Sequence, residues 1–238
     1  LSISGPNTTI DAMVAYTLKQ FADELEKAGD FETALADLIK REVTAHWRII
    51  FNGNGYDSSW IEEAKNRGLL NLGSTPDAME HYLAEKNVKL FTEMGVYTED
   101  EMKSHYEIKL EKYSKMLNIE VNTMLEMISK DILPNVFRYI KDVSQAVINL
   151  KSVVPGAKAQ AESKLLAKLD SLADRISDET DRLYAVHEEA RKAENVTKSA
   201  RIYADKVVPQ MAAVRKIYDE MEPLLGEDYK PFPSYEDL

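Results

Sequence analysis

Residues 165–190 read LLAKLDSLADRISDETDRLYAVHEEA, and the spacing of their apolar side chains decides the fold class. These side chains recur at steps of four and three, the heptad repeat of helices that pack along a narrow seam. Glu179 is the one polar residue on this seam. The seam positions are Leu165, Leu169, Leu172, Ile176, Glu179, Leu183, Val186 and Ala190. A long helix with one buried face is therefore predicted here.

A second helix is predicted after a turn at Asn195 and Thr197. Its apolar residues keep a helical spacing from Ala200 to Met221, and Pro209 predicts a kink. We expect the two helices to form a coiled-coil-like antiparallel hairpin over residues 158–222. The seam either packs on the next helix of the same chain or meets another subunit, and the available second helix favours packing within the chain.

Upstream of the hairpin lies a longer helical pattern. Thr98 and Glu101 have the spacing of a capping box, and helical periodicity runs from there to about Ile132. Pro134 predicts a kink or interruption, because proline lacks the backbone N–H that a helix interior requires. The helical pattern resumes over residues 136–150, so a long kinked helix is expected.

Two further helices are predicted at the start of the chain. Asn7 or Thr8 can cap the first, and Gly29 stands where a left-handed residue would end it. Asp30 can cap the second, and the short link predicts an antiparallel pair. The one-sided apolar stripe of the first helix is Ile10, Met13, Val14, Leu18, Phe21, Leu25 and Ala28. The predicted inward face of the second is Leu35, Leu38, Ile39, Val43 and Trp47.

Residues 51–95 combine turns with short helices. The Asn-Gly pairs of residues 52–55 are typical of turns. Short helices are predicted from a capping box at Ser59 and Glu62 to Gly68, from Thr75-Pro76, and over residues 87–94 before Gly95. We interpret this region as a docking site for another domain or subunit. We expect truncation within the region to expose apolar surface such as Leu69, Leu70 and Phe91.

These patterns predict an all-α fold. It comprises a helical bundle with a long kinked helix, a coiled-coil-like antiparallel hairpin, and short helices and loops at residues 51–95. We divide the chain into residues 1–95, residues 96–222 and an extended C-terminal arm of residues 223–238, within one continuous domain. Because residue 1 is Leu rather than Met, we expect a piece of a longer polypeptide.

The composition excludes several classes of function. The 41 acidic and 30 basic side chains give a net charge of −11, which disfavours nucleic-acid and anionic-membrane partners. No apolar run approaches the roughly 20 residues of a transmembrane helix, and no signal-peptide pattern is visible. The absence of cysteine excludes disulfides, thiol nucleophiles and cysteine-ligated metals. We therefore expect a soluble cytoplasmic protein.

No catalytic, cofactor-binding or metal-binding residue can be assigned from the motifs. Glu42/His46 and Glu101/His105 share helix faces, but the Glu-x-x-His and His-Glu-x-x-His signatures of helical metal sites are missing. We interpret both pairs as surface or capping pairs.

Other candidate motifs also have simpler explanations. The Gly-Asn-Gly turn lacks the Gly-Lys-Ser/Thr ending of a phosphate-binding loop, and Arg48 beside it is a single cation. Methionines at positions 116, 124 and 127 are best explained by core packing. No Gly-x-Ser-x-Gly nucleophile motif is present.

Several strings resemble the C-terminal part of type III glutamine synthetases. They include Ser4-Gly5-Pro6-Asn7-Thr8, the string HWRIIFNGNGY of residues 46–56, EKNVKLF of residues 85–91, ILP of residues 132–134 and PFPSY of residues 231–235. Patches of this kind occur in the family's order along nearly the whole chain, and the second and third strings are the most specific.

The resemblance implies a catalytic activity for the whole enzyme. It also implies that this chain does not carry that activity by itself. Enzymes of this family ligate ammonia to glutamate with ATP and divalent metal such as Mg²⁺, and assemble as stacked hexameric rings. Their catalytic motifs would lie upstream of Leu1, so no catalytic residue of the family can be placed on this chain. The partners implied are an upstream catalytic domain and other subunits of a homo-oligomer.

Two functional hypotheses follow. In the first, the chain is a structural and assembly domain of a glutamine synthetase-like enzyme and is inactive by itself. In the second, it is an independent helical interaction module that binds a partner through the hairpin of residues 158–222.

Overall fold

The computed structural model describes residues 3–233, which contain helices, turns and loops but no strand. The all-α prediction is therefore confirmed. The helices are α1 (Ser4–Leu25), α2 (Phe31–Ala45), α3 (Ser59–Asn66), α4 (Thr75–Tyr82), α5 (Glu85–Glu93), α6 (Glu99–Met127), α7 (Leu133–Val153), α8 (Gln160–Arg191), α9 (Val196–Ile202) and α10 (Val208–Met221). None of these helices combines the length and the apolar character that crossing a membrane requires.

The chain forms two compact units, which we call the N-terminal unit (residues 1–108) and the C-terminal unit (residues 109–238). In the N-terminal unit, Gly68 follows α3 with φ +67° and Gly95 follows α5 with φ +64°. Residues other than glycine rarely adopt this left-handed conformation. The predicted ends of these two short helices are therefore confirmed.

The cap at the start of α6 matches its prediction. The Thr98 backbone N–H donates to Glu101 Oε2 at 2.8 Å, and the Glu101 backbone N–H donates to Thr98 Oγ1 at 3.2 Å. The start of α3 differs, because Asp57 Oδ1 accepts from the Ser59 backbone N–H at 2.9 Å. An acceptor two residues before the helix therefore replaces the expected Ser59/Glu62 box.

The ends of α1 also differ from the prediction. The helix begins at Ser4, so Asn7 and Thr8 lie inside its first two turns. Pro6 is compatible with this earlier start, because the first helical residues need no backbone N–H. The helix ends at Leu25, and Gly29 is not among the residues with positive φ. The helix therefore ends without the left-handed glycine that was expected at position 29.

The C-terminal unit buries the heptad seam within the chain. Five seam residues of α8 are buried, and α8 packs against α7, α9 and α10. The buried seam residues are Leu169, Leu172, Ile176, Leu183 and Ala190, and the core they share includes Val207, Val214, Ile217 and Met221. Glu179 accepts a 2.6 Å hydrogen bond from Gln210 Nε2, which compensates the one polar seam position. The hairpin therefore packs its seam against helices of its own chain.

Both prolines in the long helical segments follow a π-helical turn. Residues 128–132 form such a turn before Pro134, and residues 203–207 form one before Pro209. A proline ring clashes with the carbonyl four residues earlier, and the wider turn relieves this conflict without ending the helix. The helical segment from Glu99 to Val153 therefore continues over 55 residues.

The C-terminal segment lies against α7. Two 3₁₀ turns, Glu222–Leu224 and Glu227–Tyr229, stand where an extended arm is expected. The Tyr229 ring lies 4.8 Å from the Tyr139 ring, and its O–H donates to Asp142 at 2.8 Å. The last part of the expected arm, residues 234–238, lies outside the described residues, and the three-part division of the chain stays a prediction.

Candidate docking surface

The N-terminal unit leaves most of the apolar side of α1 exposed. Ile10, Met13, Val14 and Leu18, which we call the α1 stripe, are each more than half exposed. Farther along the same helix, Phe21 and Leu25 are half-buried. The stripe is one-sided as predicted, and most of it is exposed. The described part of the unit covers only its C-terminal end.

The buried contact of α1 lies on its other side. Ala12 forms a small cluster with Phe91 of α5 and Met102 of α6. Successive residues of an α-helix are rotated by about 100°, so Ile10 and Val14 each lie about 160° from Ala12. The helix therefore contacts its own unit through a small residue, while the α1 stripe faces away from that contact.

The second helix divides its apolar residues in the same way. Leu38 is buried and Leu35 half-buried, whereas Ile39, Val43 and Trp47, the α2 stripe, are exposed. Ile39 and Val43 are four residues apart and lie along one side of α2, and Trp47 follows the helix in the 3₁₀ turn Trp47–Ile49. The prediction of a single inward face is correct for Leu35 and Leu38 and wrong for the α2 stripe.

Ion pairs connect α1 to α2. Arg41 Nη1 and Nη2 each lie 2.8 Å from a carboxylate oxygen of Glu24, and Arg41 Nε lies 3.0 Å from Glu42. The hydrogen bond from Arg41 lowers the pKa of Glu24, and the two carboxylates raise the pKa of Arg41. The predicted Glu42/His46 pair is confirmed, with His46 Nε2 at 3.3 Å from Glu42 Oε2.

These charged residues line an open cleft of about 770 Å³ between the two helices. Its lining includes Asp23, Glu24, Lys27, Arg41, Glu42 and His46. The charges of opposite sign neutralise one another at short distance. Glu24, Arg41, Glu42 and His46 therefore present paired side chains, which suit a structural contact better than the recognition of a charged ligand.

The Asn-Gly loop is held at its base by Arg67. The guanidinium donates to the Ile50 carbonyl at 2.9 Å and lies 5.2 Å from the centre of the Phe51 ring, which itself lies 4.6 Å from the Trp60 ring. A Cβ at Gly53 would come within 2.2 Å of the Phe51 ring, so the ring's position requires glycine there. The loop is a supported turn, as the sequence predicts.

The other residues weighed for chemistry do not come together in one site. Arg48 donates to the Gly68 carbonyl at 3.4 Å, and His105 contacts the Tyr97 ring edge-on at 4.8 Å. Glu101 accepts from Thr98 within the cap, which lowers its pKa. Among residues 3–233, no three acidic or histidine side chains converge as metal ligands.

Two packing predictions need correction. Met124 packs against the core of the C-terminal unit, but Met116 is about half exposed, so the methionines do not all serve as core. Within residues 51–95, Phe91 is buried but Leu70 is already two-thirds exposed. Phe91 is therefore covered within its own unit, whereas the expectation that Leu70 is covered is wrong.

Sequence patterns did not single out a buried polar pair in the C-terminal unit. His187 is buried, and its Nδ1 lies 3.4 Å from the Tyr203 hydroxyl, while Nε2 has no hydrogen-bond partner within the described residues. Burial lowers the pKa of His187 and raises that of Tyr203. The sequence contained one indication that His187 is buried, because position 187 directly follows the seam residue Val186 and lies on the inner side of α8.

Comparisons with known proteins identify the family. Residues 34–151 match the model of the glutamine synthetase C-terminal domain. A glutamine synthetase from Butyrivibrio fibrisolvens is 37% identical over 215 residues, which are 89% of this chain and 30% of that protein. The type-3 glutamine synthetase of Dictyostelium discoideum is 30% identical over 244 residues, covering 99% of this chain and 33% of that protein.

A more distant glutamine synthetase from Bacteroides fragilis is 23% identical over 237 residues, covering 96% of this chain and 32% of that protein. The chain thus spans about a third of the length of the curated relatives it matches. The motif strings that resemble type III glutamine synthetases agree with these matches. The chain belongs to the glutamine synthetase C-terminal domain family.

Proposed function

We propose that this chain acts as the C-terminal structural and assembly domain of an enzyme that ligates ammonia to glutamate with ATP. The family match carries the proposal, and the exposed stripes of α1 and α2 support it. Two adjacent helices that expose apolar sides are unusual for a self-sufficient unit and are typical of a contact surface. The domain would support catalysis by holding other parts of the enzyme in place.

ATP and Mg²⁺ would bind to the part of the enzyme that this chain does not represent. Residues 3–233 do not bring together a set of carboxylate or histidine ligands for the metal. The guanidinium of Arg41 in the α1–α2 cleft is already paired with the carboxylates of Glu24 and Glu42, so it does not suit a triphosphate. The chain's own residues would therefore contribute packing surfaces and not reacting groups.

The proposed partners are a catalytic domain and other subunits of a homo-oligomer, in the cytoplasm. An acidic chain without cysteine is compatible with that compartment. The alternative, an independent interaction module that uses residues 158–222, has lost its main support. The seam that motivated it is already buried against α7, α9 and α10.

Activity of the isolated chain tests the structural role. Incubated with glutamate, ammonia, ATP and Mg²⁺, the 238-residue chain should release no phosphate above the uncatalysed rate, and calorimetry should detect no ATP binding. Full-length Butyrivibrio fibrisolvens glutamine synthetase serves as the positive control in the same assay. ATP-dependent glutamine formation by the isolated chain would contradict the proposal.

A further inference from the structure

The first helix stands apart from the rest of the N-terminal unit in the family comparison. The match to the C-terminal domain begins at residue 34, inside α2, so α1 lies entirely before it. The Dictyostelium discoideum relative nevertheless aligns with 99% of the chain, which includes most or all of this helix. Helix α1 therefore has a counterpart in a relative but lies outside the region that defines the domain.

The two sides of α1 differ in what they contact. Ala12, on one side, packs against Phe91 and Met102. On the other side, the α1 stripe presents four large apolar side chains at helical spacing, with Leu18 59% exposed. Its members are Ile10, Met13, Val14 and Leu18. An amphipathic helix normally turns its apolar side toward protein, so this orientation needs a second partner.

We infer that α1 is sandwiched between this domain and the adjoining part of a glutamine synthetase polypeptide, which covers the α1 stripe. The inference rests on the proposed function. The relatives supply the occupant, since about two thirds of their length lies outside the alignment with this chain. The α1 stripe itself consists of apolar side chains, so the covering surface is apolar as well.

The covering surface contacts only part of α1. The α2 helix reaches the C-terminal end of α1, where Arg41 pairs with Glu24 and where Phe21 and Leu25 are half-buried. The α1 stripe begins one to two turns earlier and runs toward the N-terminus. The occupant therefore contacts the middle of α1, over residues 10–18, all of which precede the family match.

A chimeric enzyme tests this inference. In the Butyrivibrio fibrisolvens glutamine synthetase, the segment that aligns with this chain is replaced by residues 1–238, in three forms. The first is unaltered, the second carries Val14→Glu with Leu18→Glu, and the third carries Lys19→Glu as the matched control. Lys19 is exposed and lies about 20° from Ala12 and at least about 100° from every member of the α1 stripe, and its replacement by Glu changes the net charge by the same two units as the double substitution.

The unaltered and Lys19→Glu chimeras should assemble and ligate ammonia to glutamate at rates within about twofold of each other. In the Val14→Glu/Leu18→Glu chimera, the activity recovered as soluble, assembled enzyme should be at least tenfold lower, because two carboxylates would be buried without partners. The same pair of substitutions in the isolated 238-residue chain should leave the helical circular dichroism and the thermal midpoint unchanged. This second measurement separates loss of docking from loss of folding.

Three results would overturn the inference. Equal activity and assembly of the Val14→Glu/Leu18→Glu chimera would show that the α1 stripe is not covered, while the proposed function would stand. An inactive unaltered chimera would contradict the proposed function, and the inference with it. A dimer of the isolated chain that these substitutions abolish, beside an unaffected chimera, would identify a second copy as the occupant.

Discussion

The N-terminal and C-terminal units differ in how much of their apolar sequence they bury. Six side chains are buried in the described part of the N-terminal unit, namely Ala12, Leu38, Ala64, Pro76, Phe91 and Met102. Twenty-one are buried in the described part of the C-terminal unit. Since burying a large apolar side chain contributes about 1.5–3 kcal/mol, the second unit has a core of its own and the first has only a fragment of one.

The difference does not arise from the apolar pattern of the helices. Helices α1 and α8 both carry a one-sided apolar stripe, but α8 meets α10 along its length, whereas most of the α1 stripe stays exposed. Two similar patterns thus have opposite outcomes. Amphipathic periodicity shows that a helix will be covered on one side, and it does not show which polypeptide will cover it.

The largest expected effect is the loss of a core side chain in the C-terminal unit. Leu183→Ala should lower the free energy of unfolding by about 4 kcal/mol, since Leu183 is fully buried between helices that cannot collapse into the cavity. Leu18→Ala in α1 is the matched control and should change it by less than about 0.5 kcal/mol. Urea denaturation followed by circular dichroism measures both, and equal losses would contradict the contrast between the units.

A somewhat smaller effect is expected in the one cluster that α1 shares. Phe91→Ala should cost about 3 kcal/mol, the low end for such a change, because a loosely packed unit can partly fill the space. With so few buried side chains, the N-terminal unit should open while the C-terminal unit stays folded. Hydrogen exchange should show α5 losing protection and α8 keeping it, with Phe31→Ala as the exposed control. Loss of protection in both helices would argue against independent stability.

The buried pair His187 and Tyr203 should make stability depend on pH. Burial, helped by Arg191, lowers the pKa of His187 from 6.5, while Glu188 opposes the shift. The unfolded chain therefore binds more protons below pH 6.5, so stability is complete above that value and falls as the pH drops toward the lowered pKa.

Replacing both partners should remove this dependence. The double variant His187→Leu/Tyr203→Phe leaves neither polar group buried and should stay within about 1 kcal/mol of the wild type at pH 7.5. Denaturation midpoints measured between pH 5 and pH 7.5 should then run nearly flat. An unchanged slope in the double variant would assign the pH dependence to other groups.

The smallest effect is expected at the exposed ion pair between α1 and α2. Glu24→Gln should slightly increase hydrogen exchange in the C-terminal half of α1, and the difference should vanish in 1 M salt, where charges are screened within about 3 Å. Because the pKa of Glu24 is lowered from 4.5, the contribution of this ion pair to stability is complete above pH 4.5. It is lost as the pH falls through the lowered pKa. Lys19→Gln, which removes a pair within α1 alone, is the control. A salt-independent change would contradict the electrostatic account.

Much of the local structure could be predicted from short-range rules. The Thr98/Glu101 box, the glycines at positions 68 and 95 and the α8 seam all act between residues that are close in the chain. The same rules misplaced the start of α1, because they expected a side-chain cap at Asn7 or Thr8, whereas the helix begins at Ser4 without a side-chain cap. They also missed the buried His187, since burial depends on what α8 packs against.

Sequence patterns alone therefore established the helices, most of their ends, the family resemblance and the lack of a recognisable catalytic motif. Hydrogen-bond spacing and apolar periodicity are properties of neighbouring residues, so they can be read directly along the chain. Tertiary structure decided that the α8 seam is covered by its own chain and that the α1 stripe is not. Such a result depends on contacts between distant segments, and burial is a property of the whole assembly of surfaces.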